Sequence, residues 1–330
     1  EFYAGNMSCA LDDTDKIKVL WDDATRHNGI TVLPPDVNQS DYRFVPVADA
    51  KGRINRIRYG LGGIKGTGEG AIKSILEARE AGGPFASLFD FAKRVDRRLV
   101  NKRTLEALVR AGAFDAIAAD RAAAFASQLL DASMTKLNPQ PVACSKGCYY
   151  CCKTYVSVTI PEILRLAQSV RGDEEKSARV GDAAAASAGI AQDAREVTRV
   201  VCPILKDKVC SEYLTRPLAC RAVLSKSLET CLRIFEENSG EPFPFTDGTT
   251  DVRVYIVAML QAALLLSGLS HVHYEMNQAL AVALAEPDAE ARWLAGEMLF
   301  AGVPVDKSDL KPSSLGVMTQ ALVENLRPTI

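Results

Sequence analysis

Eight of the nine cysteines in this 330-residue chain fall between Cys144 and Cys231. Four of them, Cys144-x3-Cys148-x2-Cys151-Cys152, lie within nine residues, and Cys202, Cys210, Cys220 and Cys231 follow. Thiols this close in sequence pair among themselves only with strain, whereas their thiolates can converge on one cation. The first residues, Glu1-Phe2-Tyr3-Ala4, carry no basic or apolar export signal. Dense cysteines without such a signal point to metal chemistry in a reducing compartment, so a cytoplasmic location is expected. Seven thiolates exceed the charge of one Zn²⁺. The sequence neighbours Lys146, Lys153, Arg216 and Arg221 could offset part of it. The surplus over four ligands leaves room for an iron–sulfur cluster or a second ion, so the expected cofactor is zinc or an iron–sulfur cluster.

A second chemistry lies upstream. Ile64-Lys65-Gly66-Thr67-Gly68-Glu69-Gly70-Ala71 leads into a helix and has the form of a helix–hairpin–helix turn. Gly66 and Gly68 permit backbone angles closed to other residues and let a phosphate approach the main chain. The first N–H groups of the following helix then point at that phosphate, aided by the helix dipole. Lys65, Lys73 and the Arg53/Arg56/Arg58 cluster would add attraction without reading bases, so the expected partner is duplex DNA bound independently of sequence. From Lys51 to Asp115 there are 14 Lys and Arg against 7 Asp and Glu, although the whole chain is at −2. Gly66-x-Gly68-x-x-Ala71 also fits a relaxed dinucleotide fingerprint, but no βαβ pattern surrounds it. No Gly-Lys-Ser/Thr occurs, which excludes a P-loop.

The elements that must position these groups are mostly helical. Ile17, Leu20 and Ala24 have helical spacing up to Asn28-Gly29, and residues 30–35, 42–47 and 54–59 read as short strands. Residues 54–59 alternate apolar and basic, as in a half-buried strand. Beyond the turn, Ile72, Ile75 and Leu76 share a helix face that Gly82-Gly83-Pro84 ends. Ser87 is a candidate N-cap for a short helix with Leu88, Phe91 and Val95. Residues 101–111 form another helix, with Leu105, Leu108 and Val109 inward and Gly112 as its stop. Residues 120–132 are Ala-rich and helical. Helices are expected at 161–170, 173–200, 218–237, 251–269, 274–285 and 288–300. The apolar run 254–269, interrupted by Gln261, is short for a membrane span, so a buried helix and no membrane partner are expected. Cys9 reads as a small buried hydrophobe, and His271 and His273 as ordinary helix-end histidines.

Residues 1–117 resemble a continuous stretch of the bacterial replicative DNA polymerase III α subunit. The matching segments include Val32-Leu33-Pro34-Pro35-Asp36-Val37-Asn38, Ile57-Arg58-Tyr59-Gly60-Leu61, Leu88-Phe89-Asp90-Phe91, Asn101-Lys102-Arg103 and Ala111-Gly112-Ala113-Phe114-Asp115. The resemblance implies the end of the polymerase fingers followed by a tandem helix–hairpin–helix module. Asn101 to Asp115 would be the second, glycine-poorer hairpin. The implied DNA-backbone set is Arg58, Lys65, Gly66, Thr67, Gly68, Gly70, Lys73, Lys102 and Arg103. In the full-length polymerase other replisome subunits would be partners. Members of that family carry their palm carboxylates before this region, and their OB-fold and clamp-binding tail do not follow here. The segment is therefore expected to bind DNA and to catalyse nothing by itself.

Residues 140–300 resemble the YkgJ-type cysteine-cluster family, which is described as zinc- or iron-chelating. Cys202-Pro203-x-Leu205 and Cys210-x2-Tyr213-x2-Arg216-Pro217-x2-Cys220-Arg221 complete its pattern. By that match Cys144, Cys148, Cys151, Cys152, Cys202, Cys210 and Cys220 are the ligands, and Cys231 stands outside. Cys144-x3-Cys148-x2-Cys151 is also the radical-SAM spacing, but the helical texture that follows lacks the alternating strands of that barrel. The expected fold is mainly α with a small α+β N-terminal segment, a tandem helix–hairpin–helix and then a metal-pinned helical lobe. Its expected parts are 1–58, 59–130, a linker at 131–143, and 144–330. Three readings stand: a polymerase fragment joined to a metal module, a genuine two-domain redox or iron-handling protein, and a radical-SAM enzyme. The sequence leaves open whether the halves are one natural gene, with Met134 as a conceivable start of the second.

Overall fold

Three short β-prone stretches assemble because each carries apolar residues that one face of a small sheet can bury. In the computed structural model, which describes residues 1–48, 52–137, 142–306 and 314–326, β1 (Thr31–Leu33) pairs parallel with β3 (Ile54–Arg58). β2 (Val45–Ala48) pairs antiparallel with the other edge of β3. Helices α1 (Phe2–Ser8) and α2 (Thr14–Asp22) cover the sheet, burying Met7, Ile17 and Ala24 with Val32, Phe44 and Ile57. Asp13 caps α2 by accepting from the Lys16 N–H at 3.0 Å.

β3 departs from the half-buried pattern. Arg56 and Arg58 are 4% and 3% exposed, whereas Ile54 is 54% exposed. Arg56 donates to Glu286 at 2.9 Å and to Asp288 at 3.3 Å. Arg58 reaches Asp288 at 3.4 Å, Gln39 Oε1 at 2.7 Å and the Pro34 carbonyl at 3.3 Å. Alternation fixes which side chains share a face, but acidic residues 230 positions along the chain decide that the basic face is covered.

The glycines at 60–63 serve packing. A Cβ on Gly60 would stand 2.5 Å from the Arg43 carbonyl carbon, and one on Gly62 would stand 2.8 Å from the Tyr42 oxygen. The chain then turns into α3 (Glu69–Gly82), which ends at Gly83 with φ +73°. Arg94 holds that end, donating at 2.6 Å to both the Ala78 and the Gly83 carbonyl. α4 (Leu88–Arg94) and α5 (Lys102–Arg110) are capped by Ser87 and Asn101, which accept from the N–H groups of Asp90 and Thr104. Ile72, Ile75, Phe85, Phe91, Leu108 and Phe114 form the shared core. Val109, expected inward, is 51% exposed because Leu108 takes the core-facing position.

The remaining helices are α6 (Asp115–Leu137), α7 (Ile160–Val170), α8 (Glu174–Ser187), α9 (Gln192–Val197), α10 (Leu218–Ala222), α11 (Leu228–Glu236), α12 (Thr249–Leu266) and α13 (Met276–Ala285). Two further helices span Ala289–Leu294 and Ser314–Leu326. The helix expected over 173–200 is broken at Gly189, φ +71°, and the one over 218–237 is broken before Ser227, which caps α11. By length and composition alone α12 could cross a membrane. Here it packs on α10 and on the helix Ser314–Leu326. Its buried Gln261 bonds the His271 carbonyl and His273 Nδ1 at 3.2 Å and accepts from Thr319 at 2.8 Å, as a core helix does.

The chain divides into two compact units. One is Glu1–Arg121 with Glu286–Leu299; the other is Ala122–Ala285 with Phe300–Ile330. The fold is mainly α, with a small α+β N-terminal segment, a helix–hairpin–helix region and then a helical, cysteine-containing lobe.

Candidate nucleic-acid interface and metal centre

The turn that opens α3 faces solvent. Lys65, Gly68, Glu69 and Gly70 are exposed, and Gly66 takes φ +98°, which a side chain would strain. Among the described residues, the N–H groups of Gly66, Gly68, Glu69 and Gly70 donate to no protein acceptor. The Thr67 hydroxyl is used internally, donating to the Ile64 carbonyl at 2.7 Å, so Thr67 shapes the turn. A Cβ on Gly66 would lie 3.5 Å from the Ala107 Cβ and 4.0 Å from Arg103 Nε, placing α5 beside the turn. The side chains of Lys73 and Lys102 are 75% and 90% exposed, each near a glutamate one turn on. Arg103 is exposed as well. Of the expected backbone-binding set only Arg58 is withdrawn, because it is buried against Asp288. Arg97 and Arg98 are also exposed, in the loop before α5. Arg98 holds the Asp96 carboxyl at about 2.

In the second unit, Cys144 precedes the 3₁₀ turn Tyr150–Lys153 that carries Cys151 and Cys152. The Cys202 N–H donates to the Cys152 carbonyl at 2.8 Å. Strands β4 (Leu205–Lys206) and β5 (Val209–Cys210) then form a hairpin that returns Cys210 opposite Leu205. Its two-residue loop, Asp207-Lys208, has φ +50° and +62°, the left-handed pair that suits the twist of a tight hairpin. Cys220 lies on α10 and Cys231 on α11, which packs on the 3₁₀ turn.

No cysteine is in a disulfide. Burial first, then repulsion from Cys148, Cys151 and Cys231, raises the Cys144 thiol. Burial pushes Cys202 up to about 11, with Cys210 and Cys151 adding to it. Cys220 rises by burial and by repulsion from Cys202, Cys151 and Cys210. A hydrogen bond with Cys152, then burial, raises Cys151. Such thiols keep their protons at neutral pH until a cation replaces them.

Among the described residues no three Cys, His, Asp or Glu side chains already stand together to hold an ion. A ligand set would therefore have to close on an ion from separated side chains. The donors fit a thiophilic ion nonetheless. The charge of Arg216 favours the thiolates of Cys151, Cys210 and Cys220, and its Nε is a buried donor with no acceptor. Arg221 is tied up by Asp131 at 2.5 Å, and Lys153 by Glu236 at 2.9 Å.

Two expectations change here. Cys9 is exposed at the C-cap of α1, because Met7 and Ala10 fill the core beside it. His271 and His273 lie in an extended segment after α12, not at a helix end, and His273 is paired with Gln261. What sequence reasoning missed is a cavity of about 250 Å³ lined by Glu162, Leu218, Ala219, Arg253, His273 and Asp306. Burial lowers the Arg253 guanidinium, which Asp306 and Glu162 support. Arg253 lies only at the margin of an apolar run, so no spacing signalled it.

A family model described as "Helix-hairpin-helix motif" matches residues 29–124. Another, described as "Putative zinc- or iron-chelating domain", matches residues 143–238. The two halves resemble two different families. DNA polymerase III subunit alpha of Neisseria meningitidis (serogroup A) is 49% identical over 147 residues, covering 44% of this chain and 12% of that protein. The Vibrio cholerae and Thermus aquaticus subunits are each 49% identical over 127 residues, covering 38% of this chain and 10% of theirs. The chain thus spans about a tenth of the length of the curated relatives it matches. Among the described residues, the strands that follow the radical-SAM spacing are two residues long.

Proposed function

We propose that this chain binds the backbone of duplex DNA through its helix–hairpin–helix region, without sequence preference and without catalysis. Its cysteine lobe holds zinc or an iron–sulfur cluster. The observation that carries the first half is the exposed 66–70 turn with its unused N–H groups beside Lys65, Lys73, Lys102 and Arg103. Phosphate oxygens would accept from those N–H groups, the α3 dipole would favour the charge, and the cations would release counterions. Within a full-length polymerase other replisome subunits would be partners, and a reducing cytoplasm suits the thiols.

Gly68 supplies the test. Its φ is −86° and a Cβ there meets nothing within 4 Å, so Gly68→Ala keeps the fold and costs at most about 1 kcal/mol for an alanine at the α3 N-cap. The added methyl stands between phosphate and main chain, and duplex affinity is expected to fall about tenfold, the loss of one or two charge-assisted hydrogen bonds. Anisotropy with a labelled duplex between 50 and 200 mM salt should show affinity falling with salt, less steeply for Lys102→Ala. Binding that ignores both salt and Gly68→Ala would refute the assignment.

A second reading, a genuine two-domain DNA-associated redox or iron-handling protein, is favoured by one observation. Glu286 and Asp288, from beyond the cysteine cluster, belong to the same compact unit as the polymerase-like residues and neutralise Arg56 and Arg58.

A further inference from the structure

Arg253, near the start of α12, lines the cavity of about 250 Å³ inside the second compact unit, and nothing in the proposed function uses it. One water needs only about 10–15 Å³ of such space, so the cavity suits a small organic ligand. Burial opposes the Arg253 charge, and Asp306, Glu162 and Cys220 support it from a distance. Among the described residues the guanidinium takes part in no ion pair or hydrogen bond. Glu162 is committed elsewhere. It accepts from the Thr159 N–H at 2.9 Å, the Thr159 hydroxyl at 2.7 Å and the Leu218 N–H at 2.8 Å, which ties the start of α7 to that of α10. Asp306 is buried and anchored by its N–H, which donates to the His273 carbonyl at 2.9 Å. His273 contributes a donor. Gln261 Nε2 faces the His271 carbonyl, which can only accept, so the same nitrogen donates to His273 Nδ1 and the ring proton sits on Nε2. Leu218, Val254, Val257 and Leu315 supply apolar carbon to the same wall.

We infer that this cavity binds a small α-amino acid with an apolar side chain, its carboxylate on Arg253 and His273 Nε2–H and its ammonium on Asp306. Charge decides the class. The wall sets one guanidinium against two carboxylates, so a plain anion would add to the excess, whereas a zwitterion leaves it unchanged. A plain amine would leave the guanidinium without a hydrogen bond in a largely buried place, which is costly. The planar guanidinium takes both oxygens of a carboxylate as a fork, and the apolar wall receives the side chain. The site requires neither DNA nor a bound ion, and Arg253, His273 and Asp306 lie beyond the 143–238 span that matches the chelating family.

Calorimetric titration of the reduced full-length chain with L-valine, isovalerate and isobutylamine is the test, the last two being valine without its ammonium and without its carboxylate. L-valine should give saturable heat, with each analogue at least about tenfold weaker. Arg253→Gln should weaken L-valine by at least about tenfold and leave isobutylamine unchanged. Asp306→Asn should weaken L-valine and leave isovalerate no weaker. Thermal unfolding checks that each variant keeps a cooperative transition. Should either not fold, the unmutated chain decides, because nuclear Overhauser contacts from ¹³C-labelled valine methyls to the Val257 and Leu218 methyls place the ligand in the cavity. Contacts to other residues instead would overturn the inference, as would L-valine binding indifferent to Arg253→Gln or no saturable heat up to about 10 mM. Isovalerate binding as tightly as L-valine would overturn the amino-acid assignment.

Discussion

Cys151→Ser is expected to lose at least one bound ion and most of the metal-dependent stability of the cysteine lobe. Cys151 is the thiol that the others share: its charge opposes ionisation of Cys144, Cys202, Cys220 and Cys231 alike. A thiol that close to both ends of the cluster is the one whose removal opens whichever shell forms. Structural zinc contributes on the order of 10 kcal/mol to small thiolate domains, so losing one sulfur should weaken affinity by 100-fold or more, about 2.7 kcal/mol. Metal per chain after dialysis, with calorimetry, reads the effect, and exposed Cys9→Ser is the control. Equal metal content and equal stabilisation in Cys151→Ser would refute the placement of the centre.

The same thiols set a pH signature whose sign differs between the two forms. Cys202 titrates in the metal-free fold at about 11, above its ordinary 9. The folded form therefore holds protons that the unfolded chain releases, and metal-free stability is intact below pH 9 and lost as pH climbs toward 11. Metal binding runs the other way. Each ligand must shed a proton, so affinity falls as pH is lowered, and binding at pH 7 should release about one proton per thiolate in a weakly buffered titration.

Much of this was readable in the chain because the determinants are local. Gly66, at φ +98°, and the basic residues around it announce a solvent-facing turn by backbone chemistry alone, whereas Gly68 takes an ordinary extended φ of −86°; Ser87 and Asn101 cap their helices as short polar residues do. The cysteine spacing carried its own meaning for the same reason. Long-range pairing was invisible. Arg56 and Arg58 look like a solvated basic edge until Glu286 and Asp288 are seen against them, and Cys231 looks like a stray core thiol until Ser225 links it to Cys144. Helix breaks at Gly189 and before Ser227 were missed because apolar periodicity resumes at once on either side of them.

Asp288→Ala should destabilise the first compact unit by about 2 kcal/mol, the cost of removing one shared counter-charge from two buried guanidiniums that keep others. Asp288 accepts from both Arg56 and Arg58, which are 5% and 4% exposed at their side chains. After truncation Arg56 keeps Glu286, and Arg58 keeps the Gln39 side chain, the Pro34 carbonyl and the charges of Asp36 and Glu290, while burial already lowers its guanidinium. Salt should restore little of the loss, since ions do not screen a site closed to water. Urea unfolding followed by the fluorescence of Trp21 and Trp293, both in this unit, would show the midpoint falling, whereas Asp251→Ala, at an exposed helix start, would leave it in place. An unchanged midpoint in Asp288→Ala would mean that residues 286–299 do not seat in this unit. A lowered one would mean that the polymerase-like segment depends on residues beyond the cysteine cluster, and that a chain stopped before them cannot reproduce its stability.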